Sequence, residues 1–321
     1  MAIRTALTDL LGIRSPVLLA PIAFISGGAL AAAASRAGGL GFIGGGYGDR
    51  AWLDEEARRV DGERVGVGFI TWSLARQPDL LDLALDRAPS AVWLSFGDAR
   101  PFVERIKARG ARLVLQVQTV AAAREAKALG ADVIVAQGVE AGGHGHTRST
   151  LPLVPAVVDA VAPVPVVAAG GIADGRGLAA ALMLGAAGVA CGTAFYVAEE
   201  ALAHPAAKER LAAASGDATQ RSAVADVARR IEWPEPWTIR TLESEFTRRW
   251  RADLERLRDN QRELERYAQA RDAGDFETVA VIAGEAADLV RAVEPAGRIV
   301  ERMVGEAEAL LRRGSSWLES S

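Results

Sequence analysis

Val164-Pro-Val-Val-Ala-Ala-Gly-Gly-Ile-Ala-Asp-Gly-Arg-Gly177, followed by Gly188-Val-Ala-Cys-Gly-Thr-Ala-Phe195, contains the pattern that decides the fold. In each segment a short apolar run breaks into glycine at its C-terminal end. Between them, residues 177–184 have the Ala/Leu content and 3.6-residue spacing of a helix, with Asp174 placed to cap its start. This reads as strand, loop, helix, strand. Working outward, similar runs stand at 17–22, 40–45, 65–70, 91–96, 113–118 and 133–138, which with 164–170 and 188–192 make eight. Helical patterning fills the gaps, as at 28–36, 101–109 and 121–129. Near-continuous apolar strands imply a parallel sheet covered on both faces by helices. Eight such units within about 170 residues suit a closed sheet better than an open one, so the expected class is α/β, a (β/α)8 TIM barrel.

After Phe195 the strand signals stop, and Pro234, Pro236 and Trp237 punctuate an irregular stretch. Helices are expected at 242–270, 278–293 and 295–312, with a loose tail from Gly314. The chain therefore divides into a barrel at 1–195 and a mainly helical region at 196–321, packed on the barrel and completing it. The loops of this region could cap the active site, and its amphipathic helices offer a surface for a homodimer.

Composition narrows the function. Half of the 321 residues are apolar and about a quarter are charged, with a net charge of −4. Arginines are interleaved with acids, as in Arg248, Arg249, Arg251, Asp253 and Glu255, so no basic face invites nucleic acid or an anionic membrane. The single cysteine, Cys191, cannot form an intramolecular disulfide, and no Cys–His cluster suggests zinc. With neither a leader-like start nor a long apolar span, the expected location is cytoplasmic.

In a β/α barrel the chemistry lies where strands run into the loops that follow them. Glycines at Gly170, Gly171 and Gly192 let backbone N–H groups approach an anion, and the loops after the last two strands are the recurrent phosphate cradle of this architecture. Two of the three histidines lie in the glycine-rich loop after the sixth strand, Gln137-Gly-Val-Glu-Ala-Gly-Gly-His144-Gly-His146. An imidazole there can move protons or steady developing negative charge. His144 is the candidate catalytic residue and His146 the candidate bystander; Glu140 could orient a histidine or tie the loop to its neighbours. Gln116 and Gln118 point to one side of the fifth strand, where they could bond each other, neighbouring strands or a polar heterocycle. Phe24, Tyr47, Trp72, Phe195 and Trp237 could line an apolar pocket.

What is missing also decides. Lys107, Lys127 and Lys208 all fall on helical stretches, so a Schiff-base lysine is lacking, and no strand-end cluster of histidine and carboxylates offers a metal site. A phosphate-bearing organic cofactor with its own redox chemistry fits the remaining inventory.

These residues resemble a known family. The run from Gln137 to His144 is similar to the catalytic loop of the nitronate monooxygenases, formerly 2-nitropropane dioxygenases. Ala168 to Gly177 and Leu184-Gly-Ala with Gly192-Thr-Ala-Phe195 resemble its phosphate segments, and Leu19-Ala-Pro-Ile22 and Ala37-Gly-Gly-Leu-Gly41 match in style. The resemblance continues through Trp233-Pro234 and Arg240. It implies non-covalent FMN, with the phosphate at Ala169, Gly170, Gly171, Gly192 and Thr193. The flavin ring would then lie near Ala20, Pro21, Ile22, Gln116, Gln137, Gly142 and Gly143, beside a catalytic His144. The implied reaction is oxidation of alkyl nitronates by O2 to a carbonyl compound and nitrite. Two departures bear on substrate. Gly145-His146 stands where many members have Arg-Gly, and Gly68 stands where related flavoenzymes often have Asn. Other readings are an NAD(P)H-dependent quinone or enoyl-acyl-carrier-protein reductase of the same superfamily, a non-redox barrel for a phosphorylated metabolite, and a decayed scaffold.

Overall fold

The computed structural model describes residues 3–314 and 316. Eleven strands occur among them: β1 (Val17–Leu19), β2 (Leu40–Gly44), β3 (Gly66–Ile70), β4 (Ala91–Ser95), β5 (Arg112–Val117), β6 (Val133–Gln137), β7 (Gly143–Gly145), β8 (Val166–Ala169), β9 (Gly188–Cys191), β10 (Thr219–Ser222) and β11 (Thr238–Leu242). Eight of them close into a parallel barrel in the order β1-β2-β3-β4-β5-β6-β8-β9, with β9 pairing back to β1. These are the eight runs expected from the sequence, with bounds shifted by no more than three residues.

Period-two alternation sorts the strand side chains into two cores. Leu18, Phe42, Trp93, Val135 and Val167 fill the barrel interior, where Trp93 and Phe42 meet edge to face at 5.1 Å. Their neighbours Leu19, Ile43, Val92, Ile134 and Val166 face outward into the larger core beneath the helices. Both faces are buried, which is why these strands read as unbroken apolar runs.

The helix Ala296–Gly314 packs against the helices Gly175–Met183 and Gly28–Arg36, so it fills the outer-ring position of the eighth unit, between the seventh and the first. Its amphipathic face buries Ile299, Val300 and Met303. The expected tail begins at the last residue of this helix; beyond it, residues 315 and 317–321 lie outside the described residues.

Residues 193–295 depart from the sequence expectation. Strands do recur there: β10 pairs with β11, and β11 pairs with β7, both antiparallel. Thr-Gln-Arg-Ser and Gly-His-Gly carry no apolar alternation, so backbone pairing alone reveals them. Leu242 ends a strand, because Ser244 and Thr247 form a capping box that starts the next helix later. That helical stretch is three pieces, Glu245–Trp250, Leu254–Asp259 and Gln261–Asp272, with Asp253 and Asn260 capping the second and third. Residues 278–293 are not a helix. Ile282 bridges to Thr241 of β11, and only the 3-10 turn Glu285–Leu289 follows Gly284. A separate small core of Val224, Phe246, Trp250, Leu257, Leu264 and Tyr267 holds the helical pieces together. No helix among the described residues is long and apolar enough to cross a membrane.

Candidate active site

At the C-terminal ends of the barrel strands lies a cleft with about 1270 Å³ free of protein atoms, its open mouth included. All thirteen site residues named from the sequence line it: Ala20, Pro21, Ile22, Gln116, Gln137, Gly142, Gly143, His144, Ala169, Gly170, Gly171, Gly192 and Thr193. Arg229, Trp233, Ile239, Ile282 and Ala286 line the same cleft, so residues 193–295 form part of its wall.

One side is built for an anion. Gly170 and Gly171 hold φ of 108° and 71°, a left-handed turn that a side chain would oppose, and a Cβ on Gly170 would stand 2.8 Å from Thr150 Oγ1. Among the described residues the backbone N–H groups of Gly171, Gly192 and Thr193 donate to no protein acceptor. Successive unpaired N–H groups in such turns form a concave anion site. Thr193 Oγ1 accepts from the N–H of Gly284 at 2.9 Å, which leaves its hydroxyl hydrogen to donate. Asp174 caps the helix after β8 through the N–H groups of Arg176 and Gly177, the role expected for it.

The floor is polar in a specific way. Gln116 and Gln118 both donate to Gln137 Oε1 at 2.9 Å, and Gln137 Nε2 donates to the carbonyl of His144 at 3.0 Å. The amides therefore bond one another, and they tie the histidine loop to the barrel. The indole N–H of Trp93, 1% exposed, has no partner among the described residues although the residue lines the cleft. Buried donors are ordinarily satisfied. A heterocycle with an anionic tail, as in FMN, fits this orphaned donor and the unpaired N–H groups together.

The opposite wall carries His144, 8% exposed, at the centre of β7. Its Nε2 lies 2.9 Å from Asp226 Oδ2, while Asp226 Oδ1 accepts from Arg229 at 2.7 Å. Burial pulls the imidazole below its usual 6.5, against the opposing hydrogen bond and charge of Asp226. Burial also works against the Arg229 charge, but Tyr47, Asp226 and Tyr267 around it keep its pKa above the usual value. Trp233 lies on the face of His144, and its indole N–H donates to Tyr47 Oη at 3.0 Å. Phe96, at a left-handed φ of 62° just past β4, sets its ring 5.2 Å from Trp233 and 5.6 Å from Trp237.

The loop that bears His144 is clamped from outside. Arg221 of β10 donates to the carbonyls of Val139, Ala141, Gly143 and Thr238, and burial, with Arg240 alongside, brings its guanidinium down to about 10. Glu140 accepts from the N–H and hydroxyl of Thr150, so it ties the loop to the following helix and does not orient the histidine. His146 turns to its neighbour Thr147 and is absent from the cleft lining.

The aromatic expectation needs correction. Phe24 and Tyr47 line the cleft, but Phe195 is fully buried in the outer core. Thr193 and Tyr196, three apart on one short helix, share the face toward the cleft and leave Phe195 on the other side. Trp72 and Trp237 back the wall without lining it; Trp237 donates to Gln118 Oε1 at 3.4 Å. The absent Asn at position 68 has a steric reason. A Cβ on Gly68 would stand 2.3 Å from the Pro21 ring, which fills that space. Asp226, Arg229 and Trp233 were not among the sequence candidates. The available signal was an Asp and an Arg three residues apart, just before a stretch rich in Trp and Pro; only Asp226 lies within the helix Val224–Ala228, with Arg229 at its C-cap and Trp233 beyond it.

The profile of the family described as Nitronate monooxygenase matches residues 4–63 and 70–306. The nitronate monooxygenase npaC of Metarhizium robertsii is 37% identical, over 93% of this chain and 92% of its own length. Among solved structures, FabK from Thermotoga maritima superposes with a TM-score of 0.85 at 30% identity, covering 99% of this chain and 100% of its own. A nitroalkane oxidase from Streptomyces ansochromogenes superposes with a TM-score of 0.81 at 29% identity, covering 96% and 99%. Because the likeness runs through both the barrel and the region that walls its cleft, the chain is an oxidoreductase of the flavin-dependent kind and belongs to the nitronate monooxygenase family.

Proposed function

We propose that this enzyme binds FMN in the cleft and oxidises small alkyl nitronates with O2, giving a carbonyl compound and nitrite. The observation that supports it most is the pairing, within one cleft, of unpaired N–H groups at Gly171, Gly192 and Thr193 with a buried imidazole at His144. FMN, when bound, supplies the two-electron chemistry between substrate and O2. This chain's residues supply the rest. Ala169, Gly170, Gly171, Gly192 and Thr193 would hold the phosphate. Ala20, Pro21, Ile22, Gln116, Gln137, Gly142 and Gly143 would hold the ring, with Trp93 offering its free indole N–H. His144 meets the substrate, and Trp233, Phe96 and Tyr47 exclude water around it.

The test is the visible spectrum of the purified protein followed by anaerobic mixing with an alkyl nitronate and no NAD(P)H. Bleaching of the flavin band by nitronate alone supports the proposal. Rapid bleaching by NADH with no response to nitronates would replace it with the reductase reading. Protein that stays colourless after FMN is added would replace both with a phosphometabolite-binding barrel.

A further inference from the structure

The 226–233 segment holds His144 at one edge and one face, with Asp226 on Nε2 and Trp233 on the ring plane. Arg229 donates to the second oxygen of Asp226 at 2.7 Å and to the carbonyl of Ala225 at 3.0 Å, so the carboxylate is anchored from behind. A carboxylate paired with a guanidinium has no hydrogen to give and only accepts. The hydrogen in the 2.9 Å contact with His144 must then belong to Nε2. Nδ1 has no protein partner among the described residues and is not among the sealed, unsatisfied atoms, while the residue lines the cleft.

From this arrangement we infer that Asp226, anchored by Arg229, is a positioning residue that keeps the His144 proton on Nε2 and presents Nδ1 to the cleft as a lone pair. His144 therefore enters the reaction as a hydrogen-bond acceptor or proton acceptor, not as a cation that holds an anion. The charged groups facing the imidazole are Asp226 and Arg229 from the 224–229 segment and Arg221 from β10. Tyr47 and Tyr267 face the Asp226–Arg229 pair behind it. Of these only Asp226 raises the affinity of the imidazole for a proton, so its removal lets burial and the arginines depress that affinity further.

This inference rests on the assignment of His144 to the flavin reaction, and its primary test does not use substrate. The chain has three histidines. In flavin-loaded wild-type protein with 15N-labelled histidine, the signals of His144 are identified by their loss in His144→Asn. Near neutral pH they should show a protonated Nε2 and a bare Nδ1. A proton on Nδ1, or on both nitrogens, overturns the inference. If the tautomer is as stated but no nitronate is oxidised, the functional reading fails and this one stands.

The second test is Asp226→Asn. With flavin content unchanged, turnover should fall by roughly 10-fold to 10⁴-fold, as when a histidine loses the carboxylate that sets its tautomer. The acidic limb of its kcat/KM profile should move to lower pH, and Asp226→Glu should recover part of the rate. Loss of turnover with the acidic limb unmoved would reduce Asp226 to a structural role and overturn the assignment. If Asp226→Asn fails to hold flavin, the tautomer of the wild-type protein decides.

Discussion

The indole of Trp233 lies flat on the imidazole of His144, with ring centroids 3.3 Å apart and planes within 10°. The contact removes one whole face of the histidine from water, and burial is the largest cause of its depressed pKa. Trp233→Ala should therefore raise the pKa of His144 toward its usual value. The acidic limb of kcat/KM should move to higher pH, opposite to the shift expected for Asp226→Asn. An unmoved limb would mean that other groups desolvate the imidazole.

His144→Asn should leave the flavin spectrum and the content of bound cofactor unchanged, because among the described residues its side chain hydrogen-bonds to Asp226 and to none of the phosphate-side residues. Turnover with nitronate should drop by about 10²-fold to 10⁴-fold, the usual contribution of a positioned proton acceptor. Anaerobic flavin bleaching at the wild-type rate would remove His144 from the chemistry.

Gly170→Val should act in the opposite way. At φ 108° a β-branched residue is strained by about 1–3 kcal/mol, and its Cβ meets Thr150 Oγ1 at 2.8 Å. The turn must shift, taking the unpaired N–H groups with it. Purified variant protein should carry little flavin, with FMN affinity reduced about tenfold or more for every 1.4 kcal/mol of lost binding. Full flavin occupancy would show that the phosphate lies elsewhere.

Arg221→Met should loosen the histidine loop. Four part-buried backbone carbonyls lose a shared donor; Val139 keeps Arg240, and each acceptor left unmatched costs at most about 1–3 kcal/mol before water relieves it. The expected result is a lower thermal midpoint and faster amide exchange across 139–145, read by hydrogen–deuterium exchange.

Protein stability should also follow the titration of His144. Its folded pKa lies below the usual 6.5, so across that interval the unfolded chain binds the extra proton. Stability is then complete above pH 6.5 and declines as pH falls toward the folded value. Thermal midpoints between neutral and mildly acidic pH should fall more steeply for wild type than for His144→Asn. Parallel curves would mean that the imidazole keeps its ordinary affinity for protons.

The barrel was legible because each of its strands is buried on both faces, so its apolar run appears in the sequence whatever surrounds it. The glycine loops were legible for a related reason: Gly170 and Gly171 adopt backbone angles that other residues resist, so their identity announces the turn. Neither reading requires knowledge of which distant residues meet.

Only the tertiary structure could bring Asp226 to His144, 82 residues away, or lay Trp233 over it. It also showed β7 and β10, which pair with β11 through backbone and leave no apolar period, and it turned Phe195 into the core and Tyr196 toward the cleft. The sequence by itself determined the scaffold and the glycine turns, since burial and backbone angle are local demands on residue type. The proton chemistry of the site was decided by the fold, since a carboxylate sets the tautomer of an imidazole only when the two are brought within hydrogen-bond distance.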